Sequence, residues 1–105
     1  MRQEEIIIET ECSKVRVVEI QKNTTSTWHY HTELTDNCFC LISQIKVHTK
    51  NPDQTVILNP GERHTINAGV VHCIENGTNL IAKFLLVQGT GKYDFIAVSN
   101  GLCTK

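Results

Sequence analysis

Apolar and polar residues alternate along this chain in short runs, and no window carries the three-to-four-residue spacing of an amphipathic helix. Val, Ile, Thr and aromatic residues, which suit a pleated surface, gather in segments 5–9, 14–20, 25–31, 38–43, 44–48, 55–58, 63–66, 71–75, 80–88 and 93–98. Between them stand turn signals: Asn51-Pro52-Asp53, Asn59-Pro60-Gly61, Asn67-Ala68-Gly69, Asn76-Gly77 and Gly89-Thr90-Gly91. Gly and Asn tolerate positive φ, and Pro fixes φ while withholding a ladder donor. Strands recurring at a spacing of roughly 8–12 residues predict an all-β sandwich or barrel. With no linker, low-complexity segment or clear internal repeat, residues 1–105 read as a single domain.

Composition sharpens this picture by exclusion. Apolar residues make up 40% and charged residues 20% of the chain, as in an ordinary globular protein. The formal net charge is −1 and the Lys and Arg residues are scattered, so no electrostatic footprint for nucleic acid or an anionic membrane is present. The longest apolar stretch, Leu80 to Val87, is interrupted by Lys83 and falls well short of the roughly 20 residues of a transmembrane helix. Ile6 to Ile8, flanked by glutamates, is too short for the apolar region of a signal peptide. These features predict a soluble, cytoplasmic protein. The five cysteines, an odd number without a secretion signal, are expected as free thiols with no structural disulfide.

Candidate chemistry begins at Trp28-His29-Tyr30-His31. Alternate residues of a strand share a face, so His29 and His31 project together and can chelate a metal; an isolated His-x-His is more often a pair of surface or hydrogen-bonded histidines. A second segment, running from Gly61 through Asn67 and Gly69 to His72 and Asn76, places a turn ahead of a strand bearing a further histidine.

In order, these two segments resemble the cupin superfamily, in particular its small single-domain type-2 members. The first motif of that family runs Gly, five residues, His-x-His, three or four residues, Glu, six residues, Gly. Aligned on the histidines, this chain supplies Asn23, His29, His31, Asp36 and Ser43, a match over about 23–43. The second motif runs Gly, five residues, Pro-x-Gly, two residues, His, three residues, Asn; here Gly61, Asn67, Gly69, His72 and Asn76 stand at that spacing, over 61–76. Asn23 and Ser43 replace glycines, Asn67 replaces the proline, and Asp36 replaces the glutamate. The resemblance implies a cupin barrel, the double-stranded β-helix or jelly roll, with one divalent metal on His29, His31, His72 and Asp36. Aspartate is one methylene shorter than glutamate. Its carboxylate therefore either reaches the metal, holds a water on it, or hydrogen-bonds a liganding histidine from outside. Three imidazoles and a carboxylate suit Fe, Mn, Ni, Zn or Cu alike.

Strand parity assigns the neighbouring residues. With Asp36 turned inward, Cys38 and Cys40 follow, either lining the cavity or filling the core as small hydrophobes. His64 shares a face with Ile66 and can approach the cavity from there. Trp28 and Tyr30 fall on the face opposite the histidines, suited to packing against another sheet or subunit. His48, beside Thr49-Lys50-Asn51, is expected in solvent, as are Glu62, Arg63 and Lys92. Small cupins resemble one another in pairing, so a homodimer is implied, with the Ile6–Ile8 strand as the candidate for covering an edge. The family hosts oxygenases, isomerases and other enzymes as well as ligand-sensing and storage domains, so the fold leaves function open. The leading reading is a metal-dependent enzyme of oxygenase or isomerase type acting on a small polar molecule. The alternatives are a non-catalytic ligand-binding or sensory module and a structural cupin with a vestigial site.

Overall fold

A computed structural model describes residues 2–102. Among them every regular element is a strand: β1 (Arg2–Glu9), β2 (Ser13–Ile20), β3 (Thr24–Thr25), β4 (Thr27–Tyr30), β5 (Thr35–Ile42), β6 (Ile45–Thr49), β7 (Gln54–Leu58), β8 (Arg63–Ile66), β9 (His72–Asn76), β10 (Ala82–Gly89) and β11 (Ile96–Leu102). No helix is long and apolar enough to cross a membrane among the described residues. The strands form two antiparallel sheets, ordered β1-β2-β10-β5-β8 and β11-β4-β9-β6-β7, with β3 paired to β9. Apart from the β1-β2 and β6-β7 hairpins, neighbours in each sheet are not consecutive in the chain; this is the all-β sandwich that the alternating pattern predicted, in the jelly-roll form that the cupin resemblance implied.

Period-2 burial decides which side chains meet between the sheets. On β2 the inward positions are Arg16, Val18 and Ile20; on β10 they are Ala82, Phe84, Leu86 and Gln88; on β5 they are Asp36, Cys38 and Cys40. Register carries these rows across the sheet: Leu86 lies opposite both Arg16 and Cys38, and Gln88 lies opposite Asp36. The facing sheet contributes Ile45, Val47 and Ile74. One end of the space between the sheets is thus closed by an apolar cluster, while the other end collects Arg16, Asp36, Gln88 and the histidines.

The turns use the backbone geometry the motifs imply. Gly61 (φ 91°) and Gly69 (φ 83°) adopt positive φ, as do Asn23 (φ 53°) and Ser43 (φ 66°), the two residues standing where the family pattern has glycine. The Gly69 amide donates to the carbonyl of His31 at 2.7 Å, so the turn of the second motif fastens directly onto the first. Asn76, fully buried, donates through Nδ2 to the carbonyls of Ile20 and Leu80 and accepts from Thr78, closing the far end of the same motif.

Three expectations need correction. His48 is 2% exposed, not solvated. Its Nε2 donates to Glu75 Oε1 at 2.7 Å and its Nδ1 meets the Thr55 hydroxyl at 2.8 Å. Register explains this: β6 lies between β7 and β9, so Thr55 and Glu75 on those strands flank the His48 side chain and cover it. Cys73 stands in a disulfide rather than as a free thiol, and Cys103 lies outside the described residues. Finally, segment 25–31 is split at Ser26, whose hydroxyl takes the Ile74 amide at 2.9 Å in place of a ladder carbonyl.

Candidate metal centre

His29 on β4 lies directly opposite His72 on β9, which brings their ring centroids to 4.3 Å. His31, one residue past the end of β4, projects to the same side, with its ring centroid 5.2 Å from that of His29 and 5.7 Å from that of His72. One ligating nitrogen from each of the three lies within 4.8 Å of the others, and all three residues are buried. Asp36 reaches them from the opposite sheet. Its Oδ2 lies 3.3 Å from His31 Nε2 and 3.2 Å from His72 Nε2. Each of the four sequence candidates is therefore at one place, held by both sheets.

The ring orientation is fixed from behind. His29 Nδ1 faces the Thr27 carbonyl at 2.8 Å, His72 Nδ1 faces the Val70 carbonyl at 2.9 Å, and His31 Nδ1 faces the Asp94 carbonyl. A carbonyl can only accept, so each Nδ1 carries the proton and each Nε2 is left with its lone pair. That tautomer is the one a metal ligand requires, and the carbonyls are the partners that set it. Asp94 is itself held in place: its carboxylate accepts from the Thr32 amide at 2.9 Å and from the Thr32 hydroxyl. Its pKa is lowered, chiefly by those bonds.

The electrostatics follow from burial and proximity. Burial, reinforced by nearby His72, lowers the His29 pKa from 6.5 to about 4, so this imidazole is neutral at neutral pH. Burial acts the same way on His31, but the Asp36 carboxylate and the Asp94 carbonyl outweigh it and raise its pKa. Burial works to raise the Asp36 pKa, yet hydrogen bonds from His31, His72 and Gln88 hold it well below the usual carboxylate range. The Asp36 carboxylate thus faces one Nε2 of His31 and one of His72, each of which can meet it through a proton or share a cation with it. Lone pairs facing lone pairs at this separation repel unless a proton or a cation lies between them.

Two residues that sequence reasoning passed over complete the surroundings. Gln88 is 0% exposed; its Nε2 donates to Asp36 Oδ1 at 2.9 Å and its Oε1 accepts from Arg16 Nη2 at 2.6 Å. Arginine can only donate and carboxylate can only accept, so the amide has a single compatible orientation. Both residues carry a legible signal: Arg16 shares strand parity with Val18 and Ile20, and Gln88 with Phe84 and Leu86, which puts polar groups in inward rows. Beside the histidines opens a cavity of about 440 Å³, in the range of small-molecule sites. Cys38 lines it. Cys40 is buried in the apolar cluster, where burial raises its pKa. His64 lies opposite Cys38 on β8 but does not line the cavity. Trp28 packs with Val71 and Cys73 on the outer face, under Lys50. The mouth is edged by Tyr93 and Phe95, the latter stacked on His29 at 4.3 Å.

A family model for the cupin domain matches residues 16–88. No curated protein sequence matches the chain. Among solved structures, a conserved protein from Klebsiella pneumoniae with a double-stranded β-helix domain is 21% identical, with a TM-score of 0.80 over 99% of this chain and 85% of that one. The polyketide cyclase RemF from Streptomyces resistomycificus is 19% identical, with a TM-score of 0.78 over 92% and 70% of the two chains. An oxalate oxidase is 16% identical, with a TM-score of 0.75 over 82% of this chain and 46% of its own. At these identities the likeness is one of fold, and the two named activities differ.

Proposed function

From the premise that this chain belongs to the cupin domain family, we propose that it holds one divalent metal ion on His29, His31 and His72 and uses it on a small polar molecule in the adjoining cavity. The observation that carries this reading is the set of Nδ1–carbonyl contacts, which leaves the Nε2 lone pairs converging beside the Asp36 carboxylate. A buried carboxylate beside three converging imidazoles fits a cation, and the donor set suits Fe, Mn, Ni, Zn or Cu. A bound ion would supply Lewis-acid or redox chemistry at the cavity wall. The chain's own residues do the rest. Asp36 contributes charge to the centre, Gln88 fixes that carboxylate, and the Asp94 carbonyl holds the His31 tautomer. Phe95 covers His29 and limits water at the mouth. An oxygenase or isomerase is the reading this supports. The inner wall of Ile20, Ile74, Phe84 and Leu86 offers shape and no acid or base, which favours a non-catalytic ligand-binding module as the second reading. In either case the working unit is read as residues 1–105 acting as one cytoplasmic domain in a homodimer. The exposed Ile6, Ile7 and Ile8 on the outermost strand β1 support the pairing.

Elemental analysis of protein purified without added metal, followed by titration calorimetry, tests the centre. One ion per chain is expected. His72→Ala should abolish tight binding, and His29→Ala and His31→Ala should come close to it. Asp36→Asn should weaken binding by about 10–100-fold, as changes to supporting groups do. A His72→Ala variant that keeps wild-type affinity would sink the reading.

A further inference from the structure

The cavity holds a buried cation that the metal centre does not use. Arg16, 4% exposed, stands among the inward residues of β2 and lines the cavity together with the histidines. Its Nη1 donates to a single oxygen of Glu4, Oε1, at 2.7 Å, and its Nη2 donates to Gln88. Its Nε is buried with no hydrogen-bond partner. A guanidinium presents its donors as a flat fork, and a carboxylate satisfies that fork best by two parallel bonds. Here the fork is only partly filled, in a place where an unmet donor is costly.

The group that partly fills it is displaceable. Glu4 sits on β1, the outermost strand of its sheet, and its side chain is 33% exposed while that of Arg16 is 5% exposed. The Arg16 guanidinium lies 5.7 Å from the centroid of the Tyr93 ring, which also lines the cavity; Lys14, two residues before it on β2, lies 4.4 Å from that centroid outside the cavity lining and pairs with Glu9 at 3.8 Å. Gln88 ties the guanidinium to the histidine centre by bonding Arg16 at one end and Asp36 at the other. The cavity therefore has one buried guanidinium, Arg16, one amide away from the Asp36 carboxylate, and an apolar wall of Ile20, Phe84 and Leu86 beside it.

We propose that Arg16 anchors the carboxylate of a small organic acid, and that Glu4 occupies the anchor until the acid arrives. This rests on reading the cavity as a ligand site and names the ligand's class: a molecule with one carboxylate head and a compact apolar or mixed body. The carboxylate of Glu4 on Nη1 is the internal precedent for that head group.

The test titrates the full chain, metal-free and metal-loaded, with acetate, succinate and benzoate, with the matching neutral amides, and with inorganic phosphate. The readout is the Nε–H resonance of Arg16, one of three arginines in the chain, together with calorimetric affinities. At least one acid should bind ten or more times as tightly as its amide and move the Arg16 signal. Arg16→Gln should erase that preference in the metal-free protein. Glu4→Gln, which removes the competing carboxylate, should tighten acid binding several-fold. The assignment is overturned if no acid outbinds its amide, if phosphate outbinds every acid, or if the preference survives Arg16→Gln in metal-free protein. Should Arg16→Gln fail to fold, Glu4→Gln decides alone, because unchanged or weaker acid binding there contradicts a placeholder role. A chain that takes up no metal but still discriminates acid from amide refutes the metal reading and leaves this one standing.

Discussion

Replacing Gln88 by Met keeps much of the side chain's bulk and length and removes both polar ends of the buried bridge. Arg16 Nη2 and Asp36 Oδ1 each then lose a partner that now lies at 2.6 and 2.9 Å. Hydrogen bonds to charged groups contribute about 1.5–3 kcal/mol each, and a buried charged group left short costs at least as much. Water cannot readily replace the amide, since Gln88 is fully buried. The expected loss is about 3–5 kcal/mol, against a total stability on the order of 5–15 kcal/mol for a domain of this size. Urea unfolding at neutral pH on metal-free protein measures it. With a slope of about 1–3 kcal/mol per molar, the midpoint should fall by roughly 2 M at unchanged slope. Gln44→Met is the control: its amide bonds Asn59 at 2.9 Å in an exposed setting and should cost under about 1 kcal/mol. If Gln88→Met costs no more than Gln44→Met, the bridge between Arg16 and Asp36 does not exist as described, and the coupling of the buried guanidinium to the histidine centre goes with it.

The pH dependence of the metal-free chain has a defined sign. The unfolded state takes up a proton on His29 below about pH 6.5, while the folded state resists until about pH 4. The unfolded chain thus binds more protons in that window, and acidification from 6.5 to 4 should remove about 3 kcal/mol through this residue. His31, with its raised pKa, contributes oppositely: its stabilisation is complete below pH 6.5 and fades as pH rises through its folded value. Urea midpoints at pH 7 and pH 4.5 should therefore differ less in His29→Asn than in wild type, and equal differences would contradict the shift. His48→Ala strips Glu75 and Thr55 of a partner and empties a buried site, at about 2–3 kcal/mol or a Tm lower by roughly 10 °C or more; a Tm within 2 °C or so of wild type would show that the pairing is not maintained. Sedimentation velocity at micromolar concentration should find a dimer that Ile7→Lys disperses, and a wild-type monomer would reject the role given to β1.

How much of this was readable beforehand depends on where the determining contact lies. Strand positions come from local alternation, so each of the ten segments read from the sequence overlaps a strand. The convergence of His29, His31, His72 and Asp36 comes from spacing, because cross-strand register turns a fixed interval into a fixed position: once His29 pairs with His72, the third imidazole and Asp36 have few other places to go. The substitutions at the motif glycines did not disturb this, since Asn23 and Ser43 reach the same positive φ, and Ser43 adds a 2.7 Å bond from its hydroxyl to the Ile81 carbonyl. The failures have the opposite origin. His48 looks exposed when only its polar sequence neighbours are considered, and its partners Thr55 and Glu75 are supplied by two other strands. Segment 93–98 alternates like a strand, but β11 begins at Ile96. The residues before it are drawn to the cavity instead, with the rings of Tyr93 and Phe95 at its mouth and Asp94 holding both His31 and Thr32.

The residues that were passed over follow a rule that can be applied in advance. Within a strand, the informative position is a charged or amide side chain in register with buried aliphatics, since its desolvation must be offset by a partner. Arg16 before Val18 and Ile20, and Gln88 after Phe84 and Leu86, both meet that condition, and they turn out to be each other's partners across 72 residues of sequence. His72 meets the same condition with Ile74. On β5, by contrast, the inward row runs from Asp36 to two cysteines, which desolvate at little cost and need no compensation. The inward polar residues of β2, β5, β9 and β10 therefore divide the cavity by charge: Asp36 and His72 stand at one end and Arg16 at the other, and Gln88, neutral and fixed in orientation, is the group that lets a carboxylate and a guanidinium share one buried space without collapsing onto each other.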